Sequence, residues 1–152
     1  MQKITPFLWF DDKAEEAANF YVATFKSGKI LSVNRFNGQV LTVTFELEGQ
    51  QLMALNGGPL FKFTEAISLF VDCQSQEEVD ELWEKLSAGG EKSRCGWLKD
   101  KYGLSWQIIP TALGKLMSDP DRQKANAVMQ AMLKMNKLVI EDLQRAYDGK
   151  AA

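Results

Sequence analysis

The sequence contains no histidine. That absence removes Ser-His-Asp and Cys-His nucleophilic catalysis, and every metal site that needs imidazole. Cysteine is scarce. Cys73 and Cys95 are the only two, both in apolar-patterned segments, with no CxxC spacing and no disulfide framework. Neither has a base beside it in sequence, so both read as ordinary buried thiols in a reducing, cytoplasmic setting. Long apolar runs are missing too. None approaches the roughly 18 residues of a membrane span, and "ITPFLWF" runs straight into "DDK" without a signal-peptide pattern. Positive charge is not in excess: 18 Lys+Arg against 20 Asp+Glu leave a net charge of −2 and no basic stripe. Nucleic acid is therefore not an expected partner.

Phosphate-binding glycine motifs are also missing. The stretch "LNGGPLFKF" has two glycines and a lysine, but a P-loop needs Gly-x-x-x-x-Gly-Lys-[Ser/Thr] at a strand-to-helix turn. Here Pro59 follows Gly57-Gly58, Phe63 follows Lys62, and the next element reads as a strand. No Gly-x-Gly-x-x-Gly occurs anywhere, so a dinucleotide site is unsupported. The stretch reads as an inter-module turn. Its Phe61 and Phe63 are core, border a pocket or meet a partner, and Lys62 reads as a solvated charge in preference to an anion contact.

What is present suits one soluble, globular domain: 152 residues, 45% hydrophobic and 25% charged. A chain of this size buries roughly 70% of its unfolded surface, so no metal or disulfide staple is needed. An internal repeat organises it. The segment "PFLWFDDKAEEAANFYVATFKSGK" resembles "ISLFVDCQSQEEVDELWEKLSAGGEK". Each opens on an apolar strand-like run and turns into a helix. Asp12 with Glu15 and Ser75 with Glu78 are candidate capping boxes. Glu15 matches Glu77, Phe20 matches Leu82 and Tyr21 matches Trp83, all at one spacing. Gly28 and Gly90 fall together as helix-ending glycines, which tolerate a left-handed backbone. Val79, Leu82, Trp83 and Leu86 follow the spacing of one buried helix face.

After each helix the pattern becomes extended. Asn37-Gly38 between "KILSVNRF" and "QVLTVTFELEG" is a strong hairpin signal. Leu41, Val43, Phe45 and Leu47 alternate with Thr42, Thr44 and Glu46, giving one apolar and one semi-polar strand face. "SRCGWLKD" and "LSWQIIP" flank a second turn near Lys101–Gly103. The tail differs. Ser118 or Asp119 is expected to cap a helix with Pro120 in its first turn, and Ala125, Val128, Met129, Met132 and Leu133 make an apolar stripe. That stripe packs on its own sheet or on a twin subunit, or serves as a Met-rich binding face. "KLVIEDLQRAY" reads as a further short helix. The acidic pairs Asp11-Asp12, Glu15-Glu16 and Glu77-Glu78 sit at helix starts, where the macrodipole favours them. Glu46, on the semi-polar strand face, is the one catalytic candidate, as a general base, against a plain surface charge.

Taken in order, "ITPFLWFD", "EEAANFY", "NGGPLFKFTEAISLFVDC", "CGWLKDKYG", "WQIIP" and "SDPDRQKANAVMQAMLKMNKL" resemble the vicinal-oxygen-chelate superfamily, also called the glyoxalase/bleomycin-resistance/dioxygenase fold. They resemble more closely its PhnB-like branch, often labelled 3-demethylubiquinone-9 3-methyltransferase. The resemblance covers nearly the whole chain; its motifs are loose singly and specific in their order and spacing.

The resemblance implies an α+β fold: paired βαβββ modules forming a half-open, cupped, eight-stranded mixed sheet, helices outside, with a C-terminal helical tail. It implies a single domain, with module one at 1–56, a linker at 57–65, module two at 66–110 and tail helices at 111–150. A homodimer and a ligand cavity follow from the same likeness. Leu8 and Phe10 are expected under the first helix, with Thr5, Phe7 and Trp9 facing the cavity. By the repeat, Ile67, Leu69 and Val71 lie on the helix side, and Ala66, Ser68 and Phe70 on the cavity side. The expected ligand-binding set is Thr5, Phe7, Trp9, Asn56, Ser68, Phe70, Trp97 and Gln107, with the register at Trp97 open to a one-residue slip that reverses every side chain. A filled core without a cavity fits the pattern equally.

Metal-binding members of the superfamily place one ligand on each of four strands. Carried over, those positions are Thr5, Met53 (or Leu55 after a slip), Ala66 and Gln107, which make no useful donor set. No metal and no cofactor is expected; the rival is a displaced site on Glu46, Glu65 or Asn56. Methyl transfer from S-adenosylmethionine normally uses a glycine-rich turn after a strand, and the sequence has none. The expected function is metal-independent binding of a small, partly apolar or aromatic molecule. The alternatives are an enzyme of the same superfamily (a metal-dependent isomerase, lyase or dioxygenase, or the methyltransferase of the label) and a dimeric protein-interaction module using the tail.

Overall fold

A computed structural model describes residues 2–150. Module one runs β1 (Phe7–Phe10), α1 (Ala14–Thr24), β2 (Gly28–Phe36), β3 (Gln39–Leu47) and β4 (Gln50–Asn56). Module two repeats the plan with β5 (Ser68–Cys73), α2 (Gln76–Ser87), β6 (Glu91–Lys92), β7 (Trp97–Lys99) and β8 (Ser105–Pro110). Three helices follow: α3 (Thr111–Met117), α4 (Arg122–Met132) and α5 (Ile140–Tyr147). The chain divides into two compact units between Phe63 and Thr64.

Each unit holds one four-stranded mixed sheet, ordered β1-β4-β3-β2 in the first and β5-β8-β7-β6 in the second. In both, the opening strand pairs in parallel with the last strand and the remaining pairs are antiparallel. This is the α+β, paired βαβββ architecture that the repeat implies. Among the described residues no helix is long and apolar enough to cross a membrane.

Alternation builds the core of each unit. In module one Leu8, Phe10, Val43, Phe45, Leu47, Leu52 and Ala54 are buried, and α1 lays Ala14, Ala17, Ala18 and Tyr21 on them. The alanines let the helix approach closely, and the Tyr21 ring stacks 6.1 Å from Phe45. In module two Leu98, Trp106 and Ile108 meet Val79, Leu82, Trp83 and Leu86 of α2. Each such large side chain contributes roughly 1.5–3 kcal/mol on burial. The β2–β3 hairpin turns on Asn37 (φ 51°) and Gly38 (φ 78°), the positive pair that a primed turn requires.

Ser75 caps α2 as expected, its side chain accepting from the Glu78 N–H at 3.2 Å. Several other local expectations are corrected. Asp12 does not cap α1. Lys13 occupies the cap position and provides no side-chain bond; instead Asn56 Oδ1, from the end of β4, accepts from the Ala14 N–H at 2.8 Å. Gly28 and Gly90 are not left-handed. They are glycines because a Cβ would lie 2.9 Å from Val22 Cα and 2.1 Å from Lys99 O, respectively, and Gly89 carries the positive φ. The α4 cap is Asp121, bonded to the Gln123 and Lys124 N–H groups, with Pro120 ahead of it rather than in the first turn. Ile67 precedes β5 and is 63% exposed rather than on the helix side, and Leu41 is also exposed.

The tail forms a small core of its own: Ile109, Leu113, Val128, Leu138 and Leu143, with Leu116, Met117, Met132, Met135 and Tyr147 packed around it. The apolar stripe of α4 therefore splits. Ala125 and Val128 are buried, whereas Met129 and Leu133 remain exposed. Gln76 ties the tail to the start of α2, donating to Leu138 O at 3.0 Å and accepting from the Ile140 N–H at 2.7 Å.

Candidate functional site

The strand register of module two assembles three of the expected residues. Phe70 of β5, Gln107 of β8 and Trp97 of β7 are direct neighbours in one row. Their chain neighbours Leu98, Trp106 and Ile108 are buried beneath α2, so this row lies on the opposite sheet face. Gln107 Nε2 donates to Ser68 Oγ at 2.9 Å, which fixes the amide's orientation and gives Ser68 its part. Phe70 is 61% exposed.

The row borders a cavity of about 800 Å³. Ile109, Leu113, Met117 and Met132 of the tail core line it with Phe70 and Trp97, and Thr111, Asp72 and Lys115 add polar groups. The Thr111 hydroxyl donates to Asp72 Oδ1 at 2.8 Å and accepts from Gln74 Nε2 at 3.1 Å. This arrangement can hold an apolar or aromatic body and orient it through one amide. Of the tail wall, sequence reasoning singled out Met132 alone, as part of the Met-rich stripe, and did not place it beside this row. Leu113, Leu116 and Met117 carry a helical spacing, but Gly114 and the shortness of α3 weaken it.

The other expected residues lie in module one, and several are already engaged. The Trp9 indole N–H donates to Gly58 O at 2.9 Å, and Phe61 meets the ring edge-on at 4.9 Å. A Cβ on Gly57 would sit 2.4 Å from that ring. The "LNGGPLFKF" stretch thus folds back onto Trp9, and Phe63 packs on Phe10 at 5.3 Å. Lys62 is exposed. Phe7 pairs with Met53 and is half-exposed, and Thr5 Oγ1 accepts a long 3.4 Å bond from Gln2. Asn56, besides capping α1, donates to Val40 O at 3.2 Å. Glu46 is paired with Lys29 at 3.9 Å across β2 and β3, the posture of a strand-surface charge.

The donor chemistry does not fit a metal. Threonine, methionine, alanine and a glutamine whose amide nitrogen is held by Ser68 offer too few hard oxygens for a divalent cation. Among the described residues no group of three Cys, Asp or Glu could hold one. Burial, followed by the nearby Glu78 carboxylate, pushes the Cys73 thiol up to about 12, so it stays protonated and inert. Cys95 is only half-buried, in a left-handed conformation (φ 59°), with its N–H donating to Met135 O at 2.8 Å.

Sequence reasoning also missed Asp100. It is 2% exposed, and its carboxylate accepts from the Tyr102 and Leu104 N–H groups at 2.9 and 3.1 Å and from the Trp106 indole at 2.9 Å. An aspartate just before a Gly-bearing turn was its only local signal. It braces the β7–β8 hairpin that presents Trp97 and Gln107.

A model of the 3-demethylubiquinone-9 3-methyltransferase family matches residues 2–109, ending where the tail begins. Among solved structures, the PhnB protein of Bacillus cereus, whose name assigns it as a 3-demethylubiquinone-9 3-methyltransferase, is 40% identical, with a TM-score of 0.69 over 72% of this chain and 100% of that one. A Pseudomonas aeruginosa protein is 18% identical, with a TM-score of 0.59 over 72% and 98%. A glyoxalase/bleomycin-resistance/dioxygenase domain from Frankia sp. EAN1pec is 15% identical, with a TM-score of 0.50 over 72% and 92%. The last two share the fold. No curated protein matches the chain. The matched span is narrower than the near-whole-chain resemblance read from sequence: α3 to α5 lie beyond the family model.

Proposed function

The chain belongs to the 3-demethylubiquinone-9 3-methyltransferase family, with a glyoxalase/bleomycin-resistance-like fold, and on that premise we propose that it binds a small, partly apolar or aromatic molecule against the Phe70–Gln107–Trp97 row without a metal. One observation carries the reading: the cavity of about 800 Å³ between that row and the tail helices. Ligand pockets are typically roughly 300–1,000 Å³, mostly apolar, with a few fixed polar groups. Phe70 and Trp97 supply the apolar faces, and Gln107 orients the ligand as donor and acceptor. The glycine pair Gly57-Gly58 follows β4 but leads into no helix, so the methyltransferase in the family's name has no strand–glycine–helix turn to support it here.

The test uses 2-naphthamide, a neutral aromatic probe. Titration quenches tryptophan fluorescence in the wild type, and the quenching is lost in Trp97→Ala and weakened in Phe70→Ala. Phe70 is exposed enough for its truncation to leave the fold intact. Undiminished binding in both variants, or none in the wild type, defeats the reading. Elemental analysis of protein purified without chelator should find no stoichiometric metal. We further propose a homodimer, in which a second copy covers the exposed Met129 and Leu133 of α4; a monomer by light scattering at micromolar concentration removes it.

A further inference from the structure

Among the described residues one buried side-chain polar atom has no hydrogen-bond partner, Ser105 Oγ. Leaving a buried hydroxyl unpaired costs about 1–3 kcal/mol, so such an atom calls for an explanation. Ser105 is 1% exposed. It pairs with Ser68 on one side and Lys99 on the other, in the row next to Phe70–Gln107–Trp97 and on the same sheet face. It lines a second cavity of about 420 Å³ together with Glu65, Ser93, Arg94, Cys95, Trp97 and Lys99. Trp97 and Cys95 also line the larger cavity, so the two spaces share a wall.

The charges around this second cavity are unequal. Lys99 is ion-paired with Glu65. The hydrogen bond from Lys99 is the main cause holding the Glu65 carboxyl below its ordinary range, and Glu65 in turn raises Lys99. Their charges answer each other. Arg94, by contrast, has no ion pair or side-chain hydrogen bond among the described residues. What the cavity offers a guest is therefore a guanidinium fork and, behind its wall, an unsatisfied hydroxyl that a guest reaches by displacing the side chains that close over it.

We propose that the Arg94–Ser105 cavity is a carboxylate subsite, so that the molecule bound here is an aromatic or apolar carboxylic acid whose body lies against Trp97 on the side of the larger cavity. This rests on the reading of the larger cavity as the ligand site. A carboxylate accepts from the planar guanidinium and from the Ser105 hydroxyl together, and charge-assisted bonds of this kind are about twice as strong as neutral ones. A neutral amide of the same shape keeps the aromatic contact and loses the charge term.

The experiment compares 2-naphthoate with 2-naphthamide by titration calorimetry on the full chain. The carboxylate is expected to bind about tenfold more tightly, and the ratio to fall with added salt. Arg94→Gln brings the ratio to about one while leaving 2-naphthamide affinity unchanged, and Ser105→Ala lowers it several-fold. Ser105→Ala also keeps the wild-type melting temperature, because its hydroxyl has no internal partner to lose. Equal affinities in the wild type, or a preference that survives Arg94→Gln, overturn the subsite while the larger cavity stands. A clear loss of melting temperature in Ser105→Ala overturns the unpaired hydroxyl on which the inference stands. Failure of both probes to bind removes the larger cavity's reading and this inference together.

Discussion

The central aromatic on the sheet face of module one away from α1 is held by the chain itself; the equivalent face of module two is left beside a cavity. Trp9 is hydrogen-bonded to Gly58, overlaid by Gly57 and edged by Phe61. Trp97, Gln107 and Phe70 instead face a space of about 800 Å³. Strand order and pairing are the same in both. The difference arises after the last strand. Following β4 the chain folds back as an irregular glycine-containing segment, while following β8 it enters α3, whose side chains line a cavity over the sheet. Duplicating a fold did not duplicate the covering of its sheet; the connection leaving each sheet decided which face was filled.

The largest expected effect tests how firmly module two's hairpin is braced. Asp100→Ala removes three bonds to one buried carboxylate and should cost about 3 kcal/mol or more in urea unfolding. The β3–β4 turn of module one carries the exposed Glu48, whose carboxylate accepts from the Ser27 N–H at 3.3 Å while its own N–H donates to Ser27 O, and Glu48→Ala keeps the backbone bond and should stay within about 0.5 kcal/mol. Equal costs would break the contrast.

Next comes the tail. Leu143→Ala empties part of the small core behind the cavity and should cost about 2–4 kcal/mol. Hydrogen exchange should show weaker protection in α3 to α5 and unchanged protection in α1, together with weaker 2-naphthamide binding. Unchanged binding with a loosened tail would show that the wall is not needed.

A smaller effect separates the two helix caps. Ser75→Ala should cost about 1 kcal/mol. Asn56→Ala loses the bond to the Ala14 N–H and the one to Val40 O, and should cost more, about 1–2 kcal/mol. Chemical denaturation of the two variants side by side ranks them, and the reverse order would show that α1 is indifferent to its distant cap.

The smallest effect is in pH. The Tyr147 hydroxyl donates to Asp119 Oδ2 at 2.5 Å. That bond is the main cause lowering the Asp119 carboxyl below its ordinary 3.8 and raising the Tyr147 hydroxyl above its ordinary 10.0. The aspartate's contribution is full above its unfolded value and lost as pH falls through the lower folded one. The tyrosine's is full below its unfolded value and lost as pH rises through the raised folded one. Melting temperature of the wild type should therefore decline at both extremes, and Tyr147→Phe should flatten both limbs.

Much of the fold was legible because its signals are local. Asn37-Gly38 marked a hairpin through the backbone conformation it demands, Ser75 marked a helix start, and Val79, Leu82, Trp83 and Leu86 marked a buried face. The phosphate-cradle reading of "LNGGPLFKF" could be dismissed on spacing alone. The α1 cap was not legible, because Asn56 lies a whole hairpin away from Ala14 in the chain. The cavity was half legible: alternation grouped Phe70 with Ser68, while Trp97 and Gln107 needed the register to join them, and Leu113, Met117 and Met132 come from a tail beyond the family's matched span. Asp100 looked like any turn aspartate until the Trp106 indole was placed against it.

By itself the sequence determined two βαβββ modules and a helical tail, because alternation, turn glycines and helix spacing act over a few residues and leave little choice. Only the tertiary structure decided which polar groups were engaged and which face stayed open. Asn56 became a cap, Trp9 was covered, and Ser105 was buried without a partner through contacts between residues distant in the chain. Such contacts are set by how packed elements fit, which no short stretch of sequence encodes.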